Sequence, residues 1–364
     1  MAGSTAALAL LVAAAACGSQ PPAATPRPTT VAAGAPATAP PTPTTEHPWP
    51  TDPPRQTPPS EQDQLEPGQP ATDQPEQGRP AQLPPPPQPA PAPKTELQYA
   101  VGLRVLTLDR GPGRPLPTTI FYPAAGPRGD ALAGYPVNGA WNVKPAAGRF
   151  PLVLFSHGLH GTPQIYASAI ASWAAAGFIV AAPSYPFTSK TTAHYRRSDI
   201  VNQPADAIFV IGSVRRLDHQ AGDPLRGHID TRQVAAVGHS AGGFTTTGLF
   251  RAGHPRWLRS GVVIAGWRAP GAFAGPPATM LFVQGAYDSV VPVTLGRAAY
   301  DAVPWDKSYL LLPGAWHADY MVPTGRTYAL MEQTVTDFLR WTLDGDQAAR
   351  RRLPPSSFPA SAAN

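Results

Sequence analysis

Val234-Ala235-Ala236-Val237-Gly238-His239-Ser240-Ala241-Gly242-Gly243 is the stretch that decides the fold. Four apolar residues run directly into the pattern G-x-S-x-G. A short buried strand with this ending describes a nucleophile elbow, a turn from strand to helix so sharp that the serine hydroxyl is held exposed. Small residues are required around Ser240, because Cβ atoms at Gly238 and Gly242 would collide with neighbouring strand and helix backbone.

Outward from the elbow, composition divides the chain. The apolar segment at 6–16 is too short to span a bilayer and has the length of a signal-peptide core. It ends at Cys17, followed by Gly18 and Ser19. Small residues before a cysteine and small polar ones after it resemble a bacterial lipobox. That resemblance implies cleavage after residue 16 and a lipid on Cys17, which would anchor an exported protein to the outer face of the cell membrane; the alternative is plain secretion. Cys17 is the only cysteine, so no intrachain disulfide can form and an exported fold must rely on its core. Residues 17–94 are dominated by Pro, Ala, Thr and Gln and cannot bury enough surface to offset their ordering entropy. They are expected to form a disordered, partly polyproline II spacer.

The segment 95–345, about 250 residues, is long enough for one domain that buries about three quarters of its unfolded surface. Strand-like apolar runs fall at 101–108, 118–122, 152–156, 179–183, 234–238, 261–265, 279–284 and 308–312. Helix-length segments lie between them at 164–176, 204–217, 242–252, 295–303 and 327–343. Continuous apolar strands with intervening helices predict an α/β fold, a mostly parallel eight-stranded sheet flanked by helices. The net charge of +5 is modest and the basic residues are scattered, which argues against a nucleic-acid partner. Arg350-Arg351-Arg352 reads as a solvated cluster in a flexible tail at 346–364.

A serine hydroxyl is a weak nucleophile at neutral pH and needs a base that is itself held by an acid. At an elbow of this type the chain order is Ser, then Asp or Glu, then His. Asp288, in Gln284-Gly285-Ala286-Tyr287-Asp288, lies just past the strand at 279. His317, in Leu312-Pro313-Gly314-Ala315-Trp316-His317, lies just past the next. Both positions are at the carboxyl ends of strands, where the chemistry of open α/β sheets gathers. Other candidates fit less well. His239 should point away from the serine, His228 precedes its strand, and His254 should be remote. Asp319 is two residues from His317, while Asp206 and Asp230 read as local caps or braces.

Acyl chemistry also needs an oxyanion hole. One N–H is expected from Ala241, at the start of the helix after the elbow, where the helix dipole assists. The other is expected from Leu159, in the loop Ser156-His157-Gly158-Leu159-His160-Gly161. His157 and His160 could instead be read as metal ligands, but no Cys or clustered carboxylate stands near them, so no metal and no organic cofactor are expected.

With these residues in place, the domain resembles an α/β-hydrolase. More narrowly it resembles bacterial secreted enzymes related to platelet-activating-factor acetylhydrolases, dienelactone hydrolases and polyester-degrading cutinases. The similarity is carried by the blocks 151–158, 176–183 and 229–243 and by the Asp288 and His317 segments. It implies a serine carboxylic-ester hydrolase that forms an acyl-enzyme on Ser240 with Asp288 and His317, acting on a small-molecule or lipid ester. An acyltransferase with the same residues, or a non-catalytic binding lipoprotein of this fold, are the alternatives. By the same resemblance Trp267 falls where cutinase-like enzymes keep an aromatic wall, with core packing as the alternative. Tyr185, Phe187 and Trp316 are further candidates for an apolar acyl pocket, and any of them could instead belong to the core. Ala241 stands where many cutinases have Met, and the missing disulfide is a second departure; both weigh against a polyester substrate.

Overall fold

The computed structural model describes residues 98–353. The expected signal segment, Cys17 and the spacer lie outside the described residues.

Among the described residues the chain runs β1 (Ala100–Asp109), β2 (Pro115–Ala124), β3 (Ala140–Trp141), β4 (Phe150–Ser156), α1 (Ala167–Ala175), β5 (Ile179–Pro183) and α2 (Gln203–Leu217). It continues through β6 (Ile229–His239), α3 (Ala241–Leu249), β7 (Leu258–Ile264), β8 (Thr279–Gly285), α4 (Val293–Asp301), β9 (Lys307–Leu312), α5 (Tyr328–Leu339) and α6 (Gln347–Arg352). One sheet holds all the strands in the order β3-β1-β2-β5-β4-β6-β7-β8-β9. β2 runs antiparallel to both β1 and β5, and from β5 to β9 the strands are parallel. Every predicted strand is present. The ninth, β3, has two residues, too short to leave an apolar run in the sequence.

Side chains alternate across a strand, so an unbroken apolar run must be covered on both faces. β4 shows this directly. Val153 and Phe155 enter the core under α1 and α5, with Trp173, Phe178 and Phe338. Leu152 and Leu154 enter the opposite core, with Ile211 of α2 and with Phe250 and Phe282. β6 divides in the same way, Ala235 and Val237 to one side and Val234 and Ala236 to the other. β1 begins buried and ends in strict alternation, as expected near a sheet edge.

Folded structure also reaches past the expected domain end at 345. After α5 the chain widens into a π-helical turn (Arg340–Asp344) and stops at Gly345, in the left-handed conformation with φ +74°. Asp346 then caps α6 by accepting the N–H groups of Ala348 and Ala349. Arg352 pairs with the buried Asp337 at 2.6 Å, and Ala349 and Leu353 are buried. The expectation of a flexible tail from 346 is therefore corrected for 346–353. A stop glycine followed by a capping aspartate is the signal that marks this helix. No described helix is long and apolar enough to cross a membrane.

Candidate active site

The parallel strands bring their carboxyl ends to one edge, and four of them supply the site. Ser240 follows β6 and has φ +57° and ψ −120°, a conformation non-glycine residues rarely adopt. Its N–H donates to the Ile264 carbonyl at 2.8 Å, tying the turn to β7. The glycines on either side are obligatory. A Cβ at Gly238 would overlap the Gly242 carbonyl, and one at Gly242 would overlap the Ser156 carbonyl of β4. Backbone blocks both, so no rotamer change relieves either clash. α3 starts at Ala241, whose N–H therefore has no intrahelical acceptor.

The loop after β4 closes on this turn. A Cβ at Gly158 would come within 3.1 Å of the Ser240 Cβ, which places the loop backbone directly against the serine. Gly161 N–H donates to the Gly158 carbonyl at 2.9 Å and His160 N–H to the Thr188 carbonyl at 2.8 Å. Among the described residues the Leu159 N–H has no backbone acceptor. Leu159 also packs with Ala241, Ile200, Phe244, Ala269 and Trp267 in a small apolar cluster beside the turn.

His157 and His160 do not converge. The His157 ring is buried, with Nδ1–H donating to the Gly158 carbonyl (2.7 Å) and Nε2 accepting the Tyr185 N–H (3.1 Å). Burial lowers its pKa to about 4, so the ring is neutral. His160 is exposed and stacks on Tyr195 at 3.9 Å.

Asp288 and His317 meet across the ends of β8 and β9. His317 Nδ1 and Asp288 Oδ2 are 2.8 Å apart, and the carboxylate side chain is fully buried. Its other oxygen, Oδ1, accepts the N–H groups of Val290 (3.0 Å) and Val291 (2.8 Å). The carboxylate is thus fixed from two sides, with one oxygen left for the imidazole. Asp319 is occupied elsewhere: its Oδ2 accepts the Trp316 N–H at 3.0 Å and shapes the His317 loop. The same loop borders a cavity of about 470 Å³ between Trp316, Val322 and Arg326. His228 and His254 sit away from this edge, as expected. Asp206 braces over a distance instead of locally, pairing with Arg114 and, at 3.1 Å, with Arg110.

The aromatic candidates separate. Trp267 is half-buried, its ring 5.5 Å from Phe244 in the apolar cluster. Trp316 is 54% exposed and meets the 61% exposed Tyr287 edge-on at 6.0 Å. Tyr185 is corrected: it is fully buried with its hydroxyl 2.8 Å from Ser156 Oγ, which makes it a core residue. Phe187 lies under the Arg196 guanidinium at 4.1 Å.

His239 was expected to point away from the serine. It is buried, with its ring centroid 4.8 Å from that of His317. Tyr166, at the N-cap of α1, contacts it through the hydroxyl at 3.0 Å. Seventy-three positions separate Tyr166 from His239, and no local pattern connects them.

Residues 131–219 match the family model described as platelet-activating factor acetylhydrolase, isoform II. The match covers β3 through α2, including the Gly158–Leu159 loop, and ends before Ser240. A search against curated proteins finds no match to the chain. At the family level the match supports a hydrolase of esterase or acetylhydrolase type. Sheet order and elbow are those of an α/β-hydrolase fold, and over residues 131–219 the chain is similar to the platelet-activating factor acetylhydrolases.

Proposed function

We propose that the protein is a serine carboxylic-ester hydrolase. The observation that carries the reading is His317, partly exposed, held at 2.8 Å by the buried Asp288 carboxylate on the same sheet edge as a serine at φ +57°. In this scheme Ser240 Oγ attacks the ester carbonyl while His317 Nε2 takes its proton. Asp288 holds the ring by Nδ1–H and stabilises the imidazolium that forms. The tetrahedral oxyanion accepts from the N–H groups of Leu159 and Ala241. On collapse the alkoxide leaves with the proton from His317, and the acyl group stays on Ser240. Water deprotonated by His317 then attacks the acyl-enzyme and releases the acid. Trp267, Phe244 and Leu159 supply the apolar wall nearest the turn.

Export and attachment through a lipid on Cys17 belong to the same proposal, on the strength of the sequence at 6–19. The activity test is hydrolysis of p-nitrophenyl esters from acetate to palmitate by the full chain and by Ser240→Ala. It is run beside labelling with a fluorophosphonate, which reacts with an activated serine. Hydrolysis and labelling that both vanish in Ser240→Ala support the reading. A folded wild-type protein that hydrolyses none of these esters and takes up no label refutes it. Palmitate-alkyne incorporation that survives Cys17→Ser would refute the lipid attachment.

A further inference from the structure

Four groups form a hydrogen-bonded chain behind the site, and its two ends fix where every proton in it sits. At one end the Gly158 N–H can only donate, and it donates to Tyr166 Oη at 3.3 Å. At the other end the His317 carbonyl can only accept, and its partner is His239 Nε2 at 2.9 Å. Nε2 therefore carries a proton. Between them Tyr166 Oη and His239 Nδ1 are 3.0 Å apart. The tyrosine oxygen already accepts from Gly158, so its own hydrogen is free to donate to Nδ1. Every group is then satisfied if His239 is neutral. A protonated ring would aim a second donor at the tyrosine oxygen and leave the phenol hydrogen without an acceptor.

We propose that Tyr166 and His239 are positioning residues that tie the backbone of His317 to that of the Gly158–Leu159 loop. The inference rests on the hydrolase reading, in which one segment supplies the base and the other an oxyanion donor. These segments follow β9 and β4, which are not neighbours in the sheet, so no ladder hydrogen bond sets their spacing. The link passes directly behind the serine, since His239 is the residue before Ser240. Burial keeps His239 neutral, with its pKa lowered to about 3 and the adjacent His317 adding to the effect. Neutrality has its own consequence. With the two rings 4.8 Å apart, a charged His239 would oppose the imidazolium that His317 must become.

Tyr166→Phe removes the hydroxyl and keeps the ring. Its partner control is Tyr122→Phe, which deletes a buried hydroxyl bonded to the Val143 carbonyl at 2.7 Å on β2. For Tyr166→Phe the expected result is a fall in kcat of about tenfold with KM within about twofold, one hydrogen bond's worth of transition-state alignment. Tyr122→Phe should leave kcat unaltered at a similar loss of thermal stability. An unchanged kcat in Tyr166→Phe overturns the proposal, as does an equal fall in Tyr122→Phe. A readout independent of turnover is the ¹⁵N spectrum of the histidine rings. Wild type should show His239 as the neutral Nε2–H tautomer, and Tyr166→Phe should shift both its nitrogens. A different tautomer, or identical spectra in the two proteins, overturns the proposal even if the chain proves inactive. Inactivity of wild type with the expected tautomer refutes the hydrolase reading and leaves the tether standing.

Discussion

Acid should unfold this protein through its interior histidines, and His157 makes the effect measurable. Its Nε2 accepts the Tyr185 N–H while Nδ1–H donates to the Gly158 carbonyl, so a proton on Nε2 would set two donors against each other. The native pKa is about 4, against about 6.5 in an unfolded chain. The native state thus binds fewer protons than the unfolded state between these values. Stability from this group is fully present above pH 6.5 and is lost as pH falls towards 4. At about 1.36 kcal/mol per pKa unit, the loss from pH 8 to pH 5 is about 2 kcal/mol. His239, with a native pKa of about 3, follows the same sign. Together the two rings should remove about 4 kcal/mol over that interval, a large part of the stability of an ordinary domain.

The assay is urea unfolding followed by tryptophan fluorescence at pH 8, 7, 6 and 5 and constant ionic strength, on wild type and His157→Gln. Whatever the variant costs at pH 8, its loss between pH 8 and 5 should be about 2 kcal/mol smaller than that of wild type. Carboxylates and the other histidines titrate in both proteins and cancel in the difference. Parallel pH profiles would mean that His157 titrates normally in the native state, and the argument from its two backbone partners would fail.

Three further outcomes follow from the same geometry. Asp288→Asn should lower kcat by about 10³–10⁴-fold at little cost in KM, since the amide can present the wrong partner to Nδ1; steady-state kinetics on p-nitrophenyl butyrate would show it. Gly242→Ala, whose Cβ has backbone of β4 in its way, should cost about 1–3 kcal/mol in urea unfolding and abolish fluorophosphonate labelling. Arg114→Met should cost about 3 kcal/mol by thermal or urea melting, because Asp199 loses its cation and the fully buried Asp206 keeps only Arg110.

Legibility in the sequence tracked how local each physical cause is. The elbow was readable because its demands fall within six consecutive residues, and the parallel strands because burial on both faces leaves an unbroken apolar run. Asp288 and His317 could be located because chain order and strand ends suffice to place them. Tyr185 misled for the same reason: an aromatic just past a strand end looks like a pocket wall, and only packing reveals that its hydroxyl turns inward to Ser156. α6 was overlooked although Gly345 and Asp346 spell a stop and a cap, because three arginines in succession suggested solvent. In the fold Asp337 takes one of them. The reach of Asp206 to Arg114, 92 positions away, and of Tyr166 to His239 has no local signature at all.

Buried amides and hydroxyls do for the other side of the serine what Tyr166 and His239 do behind it. Gln203, fully buried at the start of α2, donates through Nε2 to Thr188 Oγ1 at 2.6 Å and accepts through Oε1 from Thr245 Oγ1 at 2.6 Å. The Thr188 carbonyl holds His160 N–H, next to Leu159, and Thr245 stands on α3 one turn beyond Ala241. One side chain therefore links the two segments to which the proposed mechanism assigns the oxyanion donors. A φ of +57° at a non-glycine residue costs about 1–3 kcal/mol and persists only where the surroundings leave no alternative. Here the surroundings are specific: carbonyls that exclude any Cβ at Gly238 and Gly242, and satisfied polar struts on two sides. Such a site gains rigidity from groups that never touch a substrate. Gln203→Leu, similar in volume but unable to bridge, should then lower kcat well beyond what its loss of stability explains, whereas Gln203→Glu, which keeps an acceptor for Thr245, should retain more of it. Equal kcat values in the two variants would show that Gln203 only fills space.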